Sequence, residues 1–128
     1  MKYLLVATFI ILISSCSLNN ETYICDVLEL ANISAEDEEN FGVKNGSTKG
    51  TENEFSIRIS VNPDKLHFKN LGNGAKMSME RDSYGEDKSK MYANGGYGFE
   101  LYDDGRFTFI VNKANYHADY LGTCEKIK

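Results

Sequence analysis

The 128-residue chain has one proline, two histidines, three cysteines and no tryptophan. Its 11 glycines follow no period, which excludes a collagen-like or low-complexity chain. Basic residues are sparse: 14 Lys and Arg against 19 Asp and Glu leave a net charge of -5. No basic stripe is visible to displace counterions from phosphates, so nucleic acid is not an expected partner. A Gly-x-Ser-x-Gly nucleophile, a Ser-x-x-Lys pair, a phosphate loop and a dinucleotide fingerprint are all missing. The expectation is therefore a protein that is not an enzyme and needs no cofactor. What is present, 41% hydrophobic residues in a chain of one-domain length, argues for a single folded unit.

Apolar runs are short except at the start. Met1-Lys2-Tyr3 supplies one positive charge, and Leu4 to Ile13 is apolar apart from Thr8. As a helix such a run spans roughly 15 Å, about half the hydrocarbon thickness of a bilayer, which suits an export signal rather than a membrane span. The run ends in Ile13-Ser14-Ser15-Cys16, which resembles the lipobox of bacterial lipoproteins. The resemblance implies a signal peptide over 1–15, an acylated Cys16 as the first mature residue, and a tether over 16–21. Ser17, where Asp would retain the protein inside, implies passage to the outer membrane of a Gram-negative envelope. An ordinary secretory signal cut near the same place is the alternative, and it would leave Cys16 removed or unmodified. Losing residues 1–15 removes Lys2 alone among the charges, leaving 13 basic and 19 acidic side chains. At about 3.3 to 3.6 Å per extended residue the tether reaches only ~20 Å, so the domain should sit near the lipid surface.

With Cys16 acylated, Cys25 and Cys124 form an even pair in an oxidising compartment, one in the first strand candidate and one in the last. A disulfide joining the ends of the domain is expected. The alternative of a metal site lacks companions, because His67 and His117 have no Cys or carboxylate at ligand spacing. Both histidines stand at exposed-phase strand positions. The acidic run Glu36 to Glu39 lacks the alternating oxygen ligands and central glycine of a calcium loop, and reads as a solvated helix face. No metal is expected.

Period-2 alternation dominates residues 22–128, the mark of half-buried strands. Phe55, Ile57, Ile59 and Val61 alternate with Ser56, Arg58 and Ser60; after Asn62-Pro63-Asp64, Leu66 and Phe68 alternate with His67 and Lys69. Met77 and Met79 follow, then a polar stretch over 81–90 that reads as a loop. Tyr97, Phe99 and Leu101 turn at Asp103-Asp104-Gly105 into Phe107, Phe109 and Val111, the clearest hairpin in the chain. The first strand runs from Thr22 to about Leu30 and the last carries Tyr116, Ala118 and Tyr120. Ser34 resembles an N-cap before a turn or two of helix, and 45–54, with no apolar residue, is expected to be a mobile loop or wide hairpin end. The fold class is all-β: a small antiparallel barrel or sandwich of seven to eight strands.

The mature chain also resembles the membrane-bound inhibitors of c-type lysozyme, in its lipobox, its small barrel, Tyr23-x-Cys25 and the late Cys124. It departs from them in lacking the Ser-Gly-x-x-Tyr loop motif; Met77-Ser78-Met79 and Asn94-Gly95-Gly96-Tyr97 occupy that neighbourhood without reproducing it, so no inhibitory residue carries over. The expected function is that of a lipid-anchored, non-catalytic module that binds an envelope protein or a basic protein. Exposed-phase Ile24, Leu28, Tyr102, Ile110 and Leu121 are its candidate patch, unless the loop over 31–50 covers them. An inhibitor-like binder of a basic protein and a carrier of a small hydrophobic ligand are the alternatives.

Overall fold

The protein is described by a computed structural model covering residues 20–82 and 88–127. The expected signal peptide over 1–15, Cys16, the expected tether up to residue 19, residue 128 and residues 83–87 within the expected loop over 81–90 lie outside the described residues. The described residues form nine strands: β1 (Glu21–Ala31), β2 (Gly46–Ser47), β3 (Ser56–Val61), β4 (Lys65–Asn70), β5 (Lys76–Arg81), β6 (Ser89–Asn94), β7 (Tyr97–Tyr102), β8 (Arg106–Lys113) and β9 (Tyr116–Ile127). One helix, α1 (Ala35–Phe41), lies between β1 and β2.

The sheet order is β2-β1-β3-β4-β5-β6-β7-β8-β9, with β1 also paired to β9, so eight antiparallel strands close into a barrel. Of the two expected architectures, barrel and sandwich, the barrel is the one found. Closure removes the exposed sheet edges that would otherwise recruit other chains. The ninth strand, β2, is only two residues long and pairs with β1 through Glu29↔Ser47 and Leu30↔Gly46.

Alternation decides which side chains fill the barrel. Ile57, Ile59, Leu66, Met79, Tyr92, Phe99 and Phe107 are all 1% exposed or less. Phe99 stacks on Phe107 with centroids 5.3 Å apart, and Phe68 meets Phe109 at 4.7 Å. The β3–β4 register is set by a two-residue turn, in which Asn62 Oδ1 accepts from the backbone N–H of Asp64 (3.0 Å) and Lys65 (2.8 Å). Cys25 and Cys124 face each other across β1 and β9 and are joined by a disulfide, as expected. In the chain-entropy treatment a bridge across 99 residues is worth about 4.7 kcal/mol, comparable with a small domain's net stability.

The structure departs from the sequence reading in three places. Residues 45–54 are fastened down: Thr48 is buried, and its hydroxyl donates to the Val27 carbonyl at 2.8 Å while its N–H donates to Leu28 O at 3.1 Å. A polar stretch is thus held by the backbone groups that β1 presents beyond the end of β3. Next, β1 is bulged, its register to β9 shifting between Val27 and Glu29, so Leu28 is extra and Leu30 rather than Glu29 turns inward. Leu30 then packs with Ile33 and Ala118 in a second, smaller core. Finally, the basic stripe missing from the linear sequence is assembled by strand register on β3, β4 and β5.

Candidate functional site

Two surfaces stand out on the outside of the barrel. The first lies over the β1 bulge. Two successive residues, Leu28 and Glu29, face outward there, and Leu28 is 52% exposed. Beside it Leu28, Glu29, Tyr102, Arg106, Thr108 and Leu121 line an open concavity of about 320 Å³ that reaches down to Phe107. Gly122 lies in its floor, where the β9 backbone runs close against the Asp26 carbonyl and the Phe107 ring.

The aromatic wall of this concavity is rigid. The Tyr102 hydroxyl donates to Glu100 Oε1 at 2.8 Å, and Glu100 Oε2 accepts from Ser89 Oγ at 2.7 Å. The bond to the carboxylate, followed by partial burial, raises the pKa of the phenol. Arg106 lies over the Tyr102 ring at 5.0 Å and is paired with Asp104 at 2.7 Å, a cation–π contact that holds the ring from outside. Asp104 therefore serves the turn and the arginine, as its turn position suggests, and its carboxyl is held below its usual value first by the Arg106 backbone N–H, 3.0 Å from Oδ1, and then by the Arg106 side chain.

Of the five residues expected to form a patch, Leu28, Tyr102 and Leu121 meet in this concavity. Ile110 lies further along β8, opposite Gly98 and Asp119, and flanks it. Ile24 is elsewhere: its register partners are Arg58 on β3 and Glu125 on β9. Acidic residues flank the concavity, since Asp26 and Glu29 on β1 and Asp119 and Glu125 on β9 lie beside its lining, whereas the acidic run of α1 sits against the β8–β9 hairpin. Helix α1 has no buried residue, in keeping with a solvated face. Phe41, just at its end, lies edge-on to Tyr116 with centroids 4.9 Å apart.

The second surface is cationic. Register places Arg58, Lys69 and Lys76 side by side on β3, β4 and β5, with Ser60, His67 and Ser78 in the next row. His67 Nδ1 and Ser78 Oγ are 3.0 Å apart. These six residues, with Phe68 and Met77 beneath, border an open concavity of about 400 Å³. Sequence reading set Arg58, Ser60, His67 and Lys69 in the polar phase of their strands but did not align them. The two-residue turn at Pro63-Asp64 was the available signal, because it fixes Arg58 opposite Lys69.

The barrel's interior offers less. At one mouth Phe55, Phe109 and Tyr120 close over the core, with Tyr120 centroids 5.6 and 5.8 Å from the two phenylalanines. The Tyr116 and Tyr120 hydroxyls are 3.3 Å apart, and burial first, then that contact, drives the Tyr120 pKa strongly upward. His117 lies 3.6 Å from the Asp119 carboxylate, which also accepts from Asn32. Among the described residues no group of three or more His, Cys, Asp or Glu is placed to hold a metal ion. No described helix is long and apolar enough to cross a membrane. No family model, no curated protein and no solved structure matches the chain, which leaves the two outer surfaces as the ground for a functional reading.

Proposed function

We propose that this protein is a lipid-anchored, non-catalytic binding module of a bacterial envelope, held to the membrane through Cys16 and docking a neighbouring envelope protein over the β1 bulge. The observation that carries the reading is Leu28, a large apolar side chain turned out to solvent by an inserted residue, at the lip of a concavity with a rigid aromatic wall. Turned outward by the bulge, Leu28 joins Tyr102 and Leu121 in one apolar patch, and a contiguous patch of this kind marks a contact surface. The acidic rim selects the partner: a protein presenting an apolar side chain ringed by Lys or Arg. That chemistry includes the basic-protein binder, so an inhibitor-like role is the same site seen with a more strongly cationic partner. A hydrophobic-ligand carrier has less support, because core side chains fill the interior and aromatics close one mouth.

The test is affinity capture of the full chain from crosslinked cells of its own source. Leu28→Glu should reduce recovery of the specific partner by roughly thirty-fold, the scale of losing an interface hot spot. Leu71→Glu, at a comparably exposed leucine away from the concavity, should leave recovery unchanged. Equal losses for both variants, or none for either, would remove the bulge as the docking point. Capture that ignores Leu28→Glu but disappears as salt is raised points to the purely electrostatic binder instead. Cys16→Ser should release the protein from the membrane fraction.

A further inference from the structure

The β3–β5 wall differs in charge from the rest of the molecule. Its outward positions are Ser56, Arg58 and Ser60 on β3, Lys65, His67 and Lys69 on β4, and Lys76, Ser78 and Glu80 on β5. Four are cations and one is a carboxylate, on a chain whose net charge is -5. Among the described residues none of these four cations is ion-paired, and the three ion pairs present lie elsewhere. Arg58, Lys69 and Lys76 are also direct cross-strand neighbours, so Lys69 has a like charge on each side at strand spacing of about 4.8 Å. Like charges placed opposite one another destabilise a sheet in water. The same row is favourable against a plane of negative charge.

We infer that this wall is the bilayer-facing side of the domain and that its occupant is the phosphate layer of anionic phospholipid headgroups. The inference rests on the anchored reading above, because an acylated Cys16 is what brings a bilayer within reach. Position agrees with it: β1 enters the barrel at the edge of this wall, with Thr22 paired to Ser60. The four residues between Cys16 and Glu21 leave about 20 Å of reach, too little for the domain to stand clear of the lipid. The overall negative charge does not cancel the attraction. Carboxylates border the wall at Asp26, which accepts from Ser56 at its β1 edge, and at Glu80 on β5, and the row of Arg58, Lys69 and Lys76 between them keeps three positive charges with none of these carboxylates opposite it. Three cations at an anionic surface favour one orientation by on the order of a hundred-fold. Ring order sets β4 diametrically opposite β8, so an orientation that lays β4 on the lipid turns the β8 side, and with it the Tyr102 and Leu121 concavity, toward the aqueous space.

The chain has no tryptophan, so one introduced tryptophan is a unique reporter. His67→Trp marks the β4 wall and Asn112→Trp the opposite strand β8, with Ser78→Trp as the substitute if the first fails to fold. Each full-chain protein, purified from membranes, is placed in vesicles of zwitterionic lipid or of the same lipid mixed with phosphatidylglycerol, carrying bromine quenchers near the headgroups. In phosphatidylglycerol vesicles the reporter at position 67 should be quenched several-fold more than the one at position 112. The difference should vanish in zwitterionic vesicles, in high salt, and when Arg58, Lys69 and Lys76 are all replaced by Gln. Equal quenching of the two positions, or a difference that survives the triple replacement, overturns the inference. So does a millimolar response of position 67 to inorganic phosphate without vesicles at constant ionic strength, which would make the wall a site for free phosphate. Intact mass at Cys16 tests the anchor separately. An unacylated chain that shows face-selective quenching defeats the anchor and upholds the wall, and an acylated chain with equal quenching does the reverse.

Discussion

Gly122 shows how far a single residue can decide this fold. It lies inward on β9 opposite Val27, at the point where β1 takes up its extra residue. A Cβ built there would run into the Asp26 carbonyl oxygen and come within 2.8 Å of the Phe107 ring. Neither neighbour can give way easily, since one is backbone and the other is a core aromatic only 1% exposed. Gly122→Ala is therefore expected to cost at least ~3 kcal/mol, through overpacking and disruption of the β1–β9 pairing rather than through any turn conformation. Gly98→Ala is the matched control, because its added methyl meets Ile110 at an ordinary 3.7 Å. Urea unfolding of the two variants decides the point: comparable midpoints would show that the β1–β9 seam adjusts to a methyl group and that the close approach is not needed.

Among the elements, those written by alternation were legible and those written by long-range contacts were not. The β3–β4 and β7–β8 hairpins follow from apolar residues two apart around Asn62-Pro63-Asp64 and Asp103-Asp104-Gly105, and they form at those positions. The helix follows from Ser34, whose hydroxyl accepts from the Asp37 N–H at 3.0 Å, and it stops at Gly42, where φ is +66°. The bulge in β1 was not legible, because Leu28 and Leu30 are both apolar and only the pairing with β9 decides which one turns inward. Nor was the anchoring of 45–54, where Thr48 is held by the Val27 and Leu28 carbonyls far back along the chain. The concavity was half legible: phase placed Leu28, Tyr102 and Leu121 outside, while their meeting required the order of β7, β8, β9 and β1. Helix α1 is seven residues long with no buried side chain, so its stability leans on its cap. Ser34→Ala should cost about 1 kcal/mol, felt locally. Hydrogen exchange should quicken over residues 35–42 and stay unchanged in β3 to β8; a uniform acceleration would mean that the cap supports the whole barrel.

At the scale of the molecule, ring closure buries phenols as well as hydrocarbon, and this gives stability an alkaline limit. Tyr23 is pushed up to about 12, by burial first and then by its bond to Glu21 at 2.7 Å. Tyr120 and Tyr92 are raised chiefly by burial, and Tyr102 chiefly by its bond to Glu100. An unfolded phenol titrates near pH ~10, so between about pH 10 and 12 the unfolded chain has released protons that the folded chain still holds. Stability falls with pH wherever the unfolded state binds fewer protons. The contribution of these groups is thus complete below pH ~10 and declines as pH rises through the raised folded values. On the acid side Glu21 works in the opposite sense, its pKa lowered by the Tyr23 hydroxyl and then by Lys126, so its share is present above the usual carboxylate range and declines as pH falls below it. The urea midpoint should accordingly be level through neutral pH and drop from about pH 10 upward, with tyrosinate absorbance rising together with loss of structure. Tyr120→Phe keeps the ring in the mouth of the barrel and removes the most strongly raised of these phenols, so its alkaline decline should be shallower even though the contact with Tyr116 is lost. Tyrosinate appearing smoothly around pH ~10 in a fully folded protein would show that the phenols ionise without opening the barrel, and the alkaline limit would then lie elsewhere.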